Sequence, residues 1–367
     1  MGVAACFSAP RRKIGFGKAA VEGKGLIWLA ESGWRFGFDR DSSSFHPRQR
    51  SVRESIDVSA ILVTYNSRPV LEGCFRSLQA QEGIRLEILV IDNASEDGTA
   101  DWIASTFPEI RLRRNSQNVG FGKACNQGIR EARGEVLLFV NPDLRFPDPD
   151  AIKRMAAVLL ADRSVGAAGP AFFGEDGLRQ SNAAHDYPNE RWTHGELGPL
   201  PGEVAALLGA CLALRAETAS EMGGFDEDFF LYGEDQDLCL RLRKCGLRLA
   251  YLSEVRALHL GRHSEQGTSP REYWRKKLEG EYLFYRKHYS MRSLRRIRMS
   301  QWVKSSWELF LLGLVWPVAG RDKSWKERWG KYGAILEAAL EGKQTSRHRG
   351  IDPAGQWRPA SLGANRE

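Results

Sequence analysis

The feature that most constrains the fold is a series of short apolar runs, each followed at once by polar residues. The runs are continuously apolar instead of alternating, and segments with helical spacing separate them. Strands of this kind are buried on both faces, which is typical of a parallel sheet covered by helices. The strands are predicted at residues 59–64, 86–91, 110–113 and 135–140, and the helices between them at 69–81, 96–107 and 118–132. The sequence therefore predicts an α/β fold.

Polar side chains stand at the ends of three of these strands. They are Thr64, Tyr65 and Asn66, then Asp92 and Asn93, and finally Asn141, Pro142 and Asp143. Because ligands of open α/β sheets bind outside the carboxyl ends of the strands, we expect the three groups to converge on one site. A carboxylate there binds a base, a ribose or a cation, and oxygen ligands with room for water and phosphate suit Mg²⁺ or Mn²⁺.

The second half of the sequence is less regular. The segment from 172 to 202 shows no sustained period, and such a stretch inside a compact domain is usually a binding loop or a lid. The predicted strands are residues 165–170, 207–214, 247–252 and 257–260, and the predicted helices are 151–160, 270–289, 292–320 and 321–340.

An acidic stretch, residues 223–241, leads into a helix that is predicted to begin at Glu234. Its buried face is expected to carry Leu238, Cys239, Leu242 and Cys245. Counting back three residues from Leu238 places Asp235 on the same inward face, and Asp237 can pair with Arg241 at i, i+4. Acidic residues also favour helix N-termini because they complement the helix dipole. An inward carboxylate, however, needs a partner or a chemical role, which makes Asp235 a candidate catalytic residue.

Two further features indicate ligand contacts but are weak by themselves. The segment from Asn118 to Gly122 resembles a loop that cradles phosphate at the start of a helix. His259 ends a predicted strand and is a candidate metal ligand, although a lone histidine is more often structural. Six cysteines without a Cys-x-x-Cys pair indicate reduced, mostly buried thiols in a reducing compartment.

Positive charge is concentrated near the C-terminus. The 367-residue chain carries a formal charge of +7, but residues 271–350 alone hold 19 Lys and Arg against 8 Asp and Glu. A Trp-rich apolar run from 302 to 315 lies between these basic residues, a composition that suits a helix lying in the headgroup layer of an anionic membrane. The alternative is a helix packed on the catalytic domain or in a dimer interface. Nucleic acid is not expected, because no base-stacking platform accompanies the charge.

Four segments are predicted along the chain. They are a poorly ordered extension at 1–57, a catalytic domain at 58–268, a basic amphipathic helical region at 269–342 and a disordered tail at 343–367. The first segment is either an extension or an over-extended start of translation. Neither a cleavable signal sequence nor an apolar stretch of membrane-spanning length is evident, which predicts a cytoplasmic protein, peripheral on the inner face of the membrane if the C-terminal helices bind it.

Six motifs taken together resemble one known family. They are VTYNS from Val63, IDNASEDGT from Ile91, NVGFGKACNQGI from Asn118, NPD from Asn141, GGFDEDFFLYGEDQDLCLR from Gly223 and HLGRHS from His259. They occur in the order found in family-2 glycosyltransferases, and the chain is most similar to the branch of bacterial rhamnosyltransferases and galactofuranosyltransferases. The resemblance covers about residues 58–289 and implies a GT-A fold, with helices appended at the C-terminus.

The resemblance also implies a nucleotide-sugar pocket at the strand ends. Asp92 is expected to accept a hydrogen bond from the pyrimidine base. The residues expected to contact the nucleotide sugar are Thr64, Tyr65, Asn66, Asp92, Asn118, Gly120, Lys123 and Asn141.

The same resemblance implies a metal site and a base. Asp143 matches the last carboxylate of the family's Asp-x-Asp motif and is expected to bind the cation, with His259 completing the site. Asn141 stands where the first acidic residue of that motif would be, so only one strong acidic ligand remains there. Asp235 matches the catalytic base, with Glu234 beside it. The residues expected on the acceptor side are Phe230 and Tyr232.

The implied activity is inverting, metal-dependent transfer from a dTDP- or UDP-linked sugar, with Mg²⁺ or Mn²⁺ as cofactor. We predict transfer of rhamnose to a hydroxyl of a cell-surface glycan or a polyprenyl-linked acceptor. Alternative donors are UDP-galactofuranose and UDP-hexoses. Two alternatives belong to other classes of protein. One is a glycoside hydrolase with paired carboxylates, and the other is a non-catalytic sugar-nucleotide or membrane scaffold. A hydrolase needs no nucleotide pocket, and the intact set of Asp143, Asp235 and His259 argues against a scaffold.

Overall fold

Nine strands join into one sheet in the part of the chain that the computed structural model describes, residues 57–261, 267–316 and 322–341. The sheet order is β3-β2-β1-β4-β10-β6-β11-β5, with β7 paired to β6, while β8 and β9 form a separate two-stranded ribbon. The strands are β1 (Val58–Thr64), β2 (Leu86–Asp92), β3 (Arg111–Arg114), β4 (Val136–Val140), β5 (Leu144–Arg145), β6 (Val165–Phe173), β7 (Arg179–Gln180), β8 (Ala183–Ala184), β9 (Ala206–Leu207), β10 (Cys211–Arg215) and β11 (Arg248–His259).

Nine α-helices and one short 3-10 turn at Glu190–Trp192 accompany the strands in the described residues. The helices are α1 (Arg68–Gln79), α2 (Thr99–Thr106), α3 (Phe121–Glu131), α4 (Ala151–Ala161), α5 (Ala216–Glu221), α6 (Glu234–Lys244), α7 (Pro270–His288), α8 (Met291–Leu314) and α9 (Lys323–Leu340).

The sheet is mostly parallel, as the apolar runs predict. Strands β1, β2, β3 and β4 pair in parallel, and so do β6 and β11. Among the longer strands β10 differs, because it lies antiparallel between β4 and β6. The two-residue strands β5 and β7 are also antiparallel to their partners, β11 and β6. The apolar pattern of β10 resembles that of its neighbours, since a strand in the middle of a covered sheet is buried on both faces whatever its direction.

Helices cover both faces of the sheet. Helices α1, α2 and α4 pack with one face into a continuous apolar core. The opposite face packs against α3, α5 and α6, and the C-terminal helices extend that second core. Every residue of β4 is buried, which is what its unbroken apolar run predicts.

The C-terminal helices are attached to the acidic helix α6. His288 of α7 lies with Nε2 2.8 Å from Oδ1 of Asp237, and Arg241 donates from Nε to Oδ2 of the same carboxylate at 2.7 Å. Burial works to raise the pKa of Asp237, but the hydrogen bond from His288 and the charge of Arg241 lower it overall. The predicted pair of Asp237 and Arg241 is therefore present, and α7 shares it.

Three local predictions were wrong. Residues 247–252 and 257–260 form one strand, β11, interrupted only by an irregularity between Leu252 and Arg256. The predicted strand at 207–214 is broken at residues 208–210. Cys245 is exposed, because α6 ends at Lys244, whereas Cys74, Cys125, Cys211 and Cys239 are buried free thiols.

The segment predicted as a loop or lid is held against the helices in this structure. Tyr187 is buried, and Tyr289 donates from its hydroxyl to Pro188 O at 3.0 Å. Arg243 of α6 donates to the carbonyls of Pro201 and Gly202 at 3.0 and 2.9 Å. These contacts make the segment a packed layer over α6 and α7.

The predicted N-terminal extension and C-terminal tail lie outside the described residues, apart from Asp57. The predicted boundary near residue 268 stays a prediction. None of the helices in the described ranges is both long and apolar enough to cross a membrane.

Candidate active site

A sharp turn between β9 and β10 connects two of the predicted site segments. The N–H of Gly209 donates to Oδ2 of Asp235 at 2.8 Å. The carbonyl of the next residue, Ala210, accepts from the N–H of Asn141 at 2.8 Å. The candidate base and the Asn141–Asp143 loop are therefore held by adjacent residues of one turn, and the break in the predicted strand at 208–210 provides this arrangement.

Asp235 and Glu234 are both buried at the first turn of α6, at 8% and 6% exposure. Burial raises the pKa of Asp235, while the N–H groups of Gly209 and Gln236 oppose this rise by hydrogen bonding to the carboxylate. Burial, followed by the charge of Asp235, raises the pKa of Glu234 to about 8. Oε2 of Glu234 is buried without a hydrogen-bond partner among the described residues. Burial thus favours the protonated form of Glu234, whereas the two N–H groups favour the charged form of Asp235.

The glycine-opened helix α3 lies against this acidic segment. The N–H of Phe121 donates to Phe230 O at 2.8 Å. A side chain at Gly120, whose φ is +88°, would come within 2.7 Å of the same carbonyl. Gly122 faces Glu234 more loosely, because a Cβ added at Gly122 would lie 3.8 Å from Cβ of Glu234. The candidate phosphate loop and the acidic stretch thus form one continuous wall.

The ends of β1 and β2 are joined through Asp92. Thr64 and Asp92 are register partners, and the Thr64 hydroxyl donates to Oδ1 of Asp92 at 2.8 Å. The Ser95 hydroxyl donates to the same oxygen at 2.6 Å, and the Ser95 N–H donates to Oδ2 at 3.0 Å. Asp92 is only 2% exposed, so its carboxylate organises this turn.

Asn66 and Asn118 brace the neighbouring loops. Exposed Asn66 accepts at Oδ1 from the N–H of Glu96 at 2.8 Å. Asn118 accepts at Oδ1 from the N–H of Gly120 at 3.0 Å, which closes a local turn. Asn93 donates to Gly120 O at 3.2 Å and so ties the β2 end to the α3 loop.

The ends of β2, β1, β4 and the start of β10 therefore lie side by side at one sheet edge, as their order in the sheet requires. Adjacent strands are about 4.8 Å apart, so the edge from Asp92 to the Gly209 turn spans roughly 14 Å. The structure brings the three predicted polar groups to this edge, together with Asp235.

Asp143 and His259 face each other at the end of β11. Their nearest atoms, Oδ2 of Asp143 and Nε2 of His259, are 3.7 Å apart. Nδ1 of His259 lies 3.0 Å from Oε1 of Gln180, which leaves Nε2 with its lone pair toward Asp143. Burial lowers the pKa of His259, although Asp143 opposes this, and a neutral imidazole is the form that ligates metals.

This pair fits a divalent cation. Nitrogen and carboxylate oxygen stand close together without a direct hydrogen bond, and Gln180 orients the ring from behind, as outer partners of metal-binding histidines do. Among the described residues no group of three or more potential ligands surrounds a single point. A cation here would complete its coordination with water and ligand oxygens.

The remaining predicted residues lie around this edge with different neighbours. Lys123 is exposed, with Nζ 3.9 Å from Glu227. Phe230 lies against Gly120. Tyr232, with φ of +67°, points its ring toward Tyr273 of α7 at 6.2 Å between ring centroids. Tyr232 therefore borders the C-terminal helices and Phe230 borders the α3 loop.

Two supporting residues were not predicted from the sequence. Gly209 anchors Asp235, and its signal was present, because a glycine inside a strand pattern often marks a close backbone approach. Gln180 positions His259, and nothing in its sequence surroundings distinguishes it.

The fold and this edge define an α/β protein with polar side chains at the carboxyl ends of its strands, a buried carboxylate beside them and a histidine–aspartate pair that suits a cation. A model described as Glycosyl transferase family 2 matches residues 59–223, and one described as Glycosyl transferase family group 2 matches residues 143–325. The chain belongs to glycosyltransferase family 2. The expected glycosyltransferase activity and GT-A fold are thereby confirmed.

Among its relatives is an N-acetylglucosaminyl-diphospho-decaprenol L-rhamnosyltransferase of Mycobacterium tuberculosis. It is 29% identical over 254 residues, which are 61% of this chain and 82% of that protein. The O-antigen biosynthesis protein RfbC of Myxococcus xanthus is 28% identical over 273 residues, which are 69% of this chain but 21% of RfbC.

A solved structure with a related chain path is the mannosyltransferase PcManGT from Pyrobaculum calidifontis in complex with GDP-Man and Mn²⁺. It is 19% identical with a TM-score of 0.49, over 77% of this chain and 86% of that chain.

Proposed function

We propose that this protein is an inverting, divalent-metal-dependent glycosyltransferase that moves L-rhamnose from a nucleoside diphosphate sugar to a polyprenyl-diphosphate-linked sugar. The observation that carries the proposal is the burial of Asp235 and its attachment by Gly209 next to the Asn141–Asp143 loop. The name of the M. tuberculosis relative, which is matched over 82% of its length, supports the sugar and the acceptor class.

Asp235 accepts the proton of the acceptor hydroxyl as the hydroxyl oxygen attacks the anomeric carbon of the donor. The bond from that carbon to the diphosphate breaks on the opposite face, and the nucleoside diphosphate leaves with the bonding electrons. One displacement of this kind inverts the anomeric configuration and needs no covalent intermediate on the enzyme. Burial raises the pKa of Asp235, which makes its carboxylate a stronger base than that of an exposed aspartate.

Asp143 and His259 would hold the divalent cation. When bound, Mg²⁺ or Mn²⁺ neutralises charge on the leaving diphosphate. The N–H groups at the start of α3 supply further positive potential for the same phosphates, because a helix N-terminus favours anions.

The strand-end residues would bind the nucleotide. Thr64 and Ser95 hold Asp92 rigidly at the sheet edge, where a remaining lone pair of the carboxylate can accept from a pyrimidine N–H. Further nucleotide-sugar contacts are proposed for Tyr65, Asn66, Asn118, Gly120, Lys123 and Asn141.

The base assignment is tested with Asp235→Asn. We expect transfer to fall by at least about 100-fold, the usual scale for losing a general base, while the donor Kd stays within about twofold because Asp235 is assigned to the acceptor hydroxyl. Asp228→Asn is the matched control, since Asp228 lies in the same acidic stretch with a largely exposed side chain. Turnover by Asp235→Asn close to that of the control would disprove the assignment.

The donor is tested with a panel of nucleotide sugars, with and without Mn²⁺. dTDP-rhamnose is expected to raise the melting temperature most, because ligand binding to the native state stabilises it by mass action. A larger shift with UDP-galactofuranose or a UDP-hexose would replace rhamnose in the proposal. If the rate of sugar transfer is unchanged after divalent ions are chelated, the proposed metal dependence is wrong.

The C-terminal helices would hold the enzyme on an anionic membrane. Helix α8 exposes an apolar stripe at i, i+4, i+8, i+11 and i+15, and its opposite side is buried through Leu294, Ile297 and Leu312. Exposed basic residues on α8 and α9 flank the stripe, which suits contact with anionic headgroups. The exposed stripe consists of Met299, Val303, Trp307, Phe310 and Leu314. The flanking residues include Arg292, Arg295, Arg296, Lys323, Lys326 and Arg328.

A further inference from the structure

Two lysines from different C-terminal helices meet over one aromatic ring. Nζ of Lys331, on α9, lies 4.4 Å from the ring centroid of Trp274, and Nζ of Lys277, on α7, lies 5.4 Å from it. Within the described residues neither ammonium has a carboxylate within ion-pair distance. A contact with an aromatic face is worth only about 0.5–1 kcal/mol at partly exposed positions, less than a charge-assisted bond to phosphate. Both cations are therefore available to an anionic ligand.

The lysine pair, defined as Lys277 and Lys331, stands next to the candidate base. Burial raises the pKa of Asp235, and the charge of Lys277 opposes this rise, which indicates that Lys277 lies on the Asp235 side of α7. Helix geometry explains the approach, because Gly280 packs its backbone directly against the carbonyl of Tyr232, at the turn before α6. Lys277 precedes Gly280 by three residues and so lies on the same face of α7.

One acidic group lies beside the pair. Glu281 is buried, and burial raises its pKa, while the Tyr285 hydroxyl, Lys277 and Lys331 oppose that rise. The Tyr285 hydroxyl donates to Oε2 of Glu281 at 2.9 Å. Both lysines favour the charged form of Glu281, so both ammonium groups lie near this carboxyl group.

The pair also lies close to the helices that carry the apolar stripe. Lys331 is six residues beyond Trp325 on α9, roughly 9 Å along the helix axis. Nε1 of Trp325 donates to Leu312 O of α8 at 3.0 Å. Trp325 contacts the buried side of α8, opposite the apolar stripe, and α9 connects that side of α8 to Lys331, Trp274 and Lys277.

We propose that Lys277 and Lys331 bind the diphosphate of the polyprenyl-linked acceptor, so that the lipid chain runs toward α8 and the sugar toward Asp235. The chemistry matches, since a diphosphate presents several anionic oxygens to two convergent ammoniums and Trp274 offers an apolar surface to the first isoprene unit. The donor diphosphate is assigned elsewhere, at Asp143, His259 and the α3 loop. This inference rests on the proposed function and adds the acceptor subsite to it.

The kinetic test uses Lys277→Met and Lys331→Met with a short-chain N-acetylglucosaminyl-diphospho-polyprenol as acceptor. We expect the acceptor KM to rise about tenfold in each variant, the scale of one charge-assisted contact, with the donor KM within about twofold of the wild-type value. Lys244→Met removes the same charge from the exposed far end of α6 and is expected to change neither constant. An unchanged acceptor KM in both variants, or a rise in donor KM instead, would overturn the proposal.

A binding test separates this inference from the proposed function. Farnesyl diphosphate and farnesol are titrated calorimetrically into the protein with saturating dTDP and Mn²⁺, which occupy the donor pocket. We expect the diphosphate to bind more tightly than the alcohol in the wild-type protein, and this preference to fall about tenfold in each lysine variant. If the preference depends on the lysines but no sugar is transferred, the proposed function fails alone. If there is no preference, the acceptor subsite fails even when transfer occurs.

Discussion

At the scale of single residues, the chemistry depends on which of two adjacent carboxyl groups holds a proton. Asp235 receives two backbone N–H donors from Gly209 and Gln236, whereas one oxygen of Glu234 is buried without a partner in the described structure. Hydrogen bonds to the charged form favour ionisation, so the charged form is favoured more strongly at Asp235 than at Glu234. A protonated Glu234 adds no second negative charge beside Asp235, the proposed base.

Glu234→Gln is expected to stabilise the protein above neutral pH. The folded-state pKa of Glu234, about 8, lies above its usual 4.5, so its contribution is most favourable below pH 4.5 and is lost as the pH rises through 8. Glutamine removes that loss, which we expect to be about 1–3 kcal/mol, the scale for one buried unpaired group. Thermal unfolding at pH 5 and pH 8.5 measures it, with the larger gain at pH 8.5. A gain that is equal at both values would contradict the assigned proton.

The site residues differ in how well the sequence predicts them. Asp92 and Asp143 follow unbroken apolar runs. A carboxylate at the end of a buried strand costs free energy unless it has a partner or a ligand, so both positions are recognisable from the sequence. Asp235 is predicted from helical spacing, because a residue three positions before the buried Leu238 lies on the same face of the helix. Gln180 is not predictable, since its value comes only from the tertiary contact with His259.

At the scale of elements, the position of α7 decides what borders the base. Gly280 allows the helix to approach the Tyr232 carbonyl so closely that any side chain at this position would collide with it. The apolar pattern predicts α7 nearly to the residue but carries no information about this packing. The direction of β10 is unpredictable for a related reason, because pairing partners set strand direction and the apolar run is the same either way.

Gly280→Ala is expected to destabilise the protein by about 1–3 kcal/mol, the usual cost of overpacking, and to raise the acceptor KM because Lys277 moves with α7. Gly333→Ala is the matched control, since it places the same methyl group in α9 where no other group lies within 4 Å. The control should be neutral or stabilising by up to about 1 kcal/mol, because alanine favours helices. Denaturant unfolding and acceptor kinetics measure both variants, and equal stabilities would show that the close contact is dispensable.

At the scale of the whole molecule, α7, α8 and α9 connect the catalytic sheet to an exposed apolar surface. Arg298 of α8 donates to Ala339 O of α9 at 2.8 Å, and Gly330 of α9 packs against the start of α7. These contacts join the three helices into one layer. The layer gives the enzyme a defined orientation if its apolar stripe rests on a bilayer.

Trp307→Ser combined with Phe310→Ser is expected to reduce co-sedimentation with vesicles that contain phosphatidylglycerol by at least about tenfold. The reason is the loss of two exposed aromatic side chains, at 60% and 57% exposure, each worth about 1.5–3 kcal/mol when fully removed from water. Leu178→Ser is the control, because Leu178 is 68% exposed but lies in the turn before β7. Wild-type protein that stays in the supernatant with these vesicles would end the membrane proposal.

The turn formed by Gly209 and Ala210 affects how the binding positions of the two substrates move relative to each other. One of its hydrogen bonds holds Asp235, the proposed proton acceptor, and the other holds the loop that leads to Asp143, the proposed cation ligand. Gly209 and Ala210 are consecutive residues, so we expect a movement of this turn to shift Asp235 and the Asn141–Asp143 loop in the same direction. We therefore expect the distance between the proposed proton acceptor and the proposed cation ligand to change little when the surrounding sheet moves.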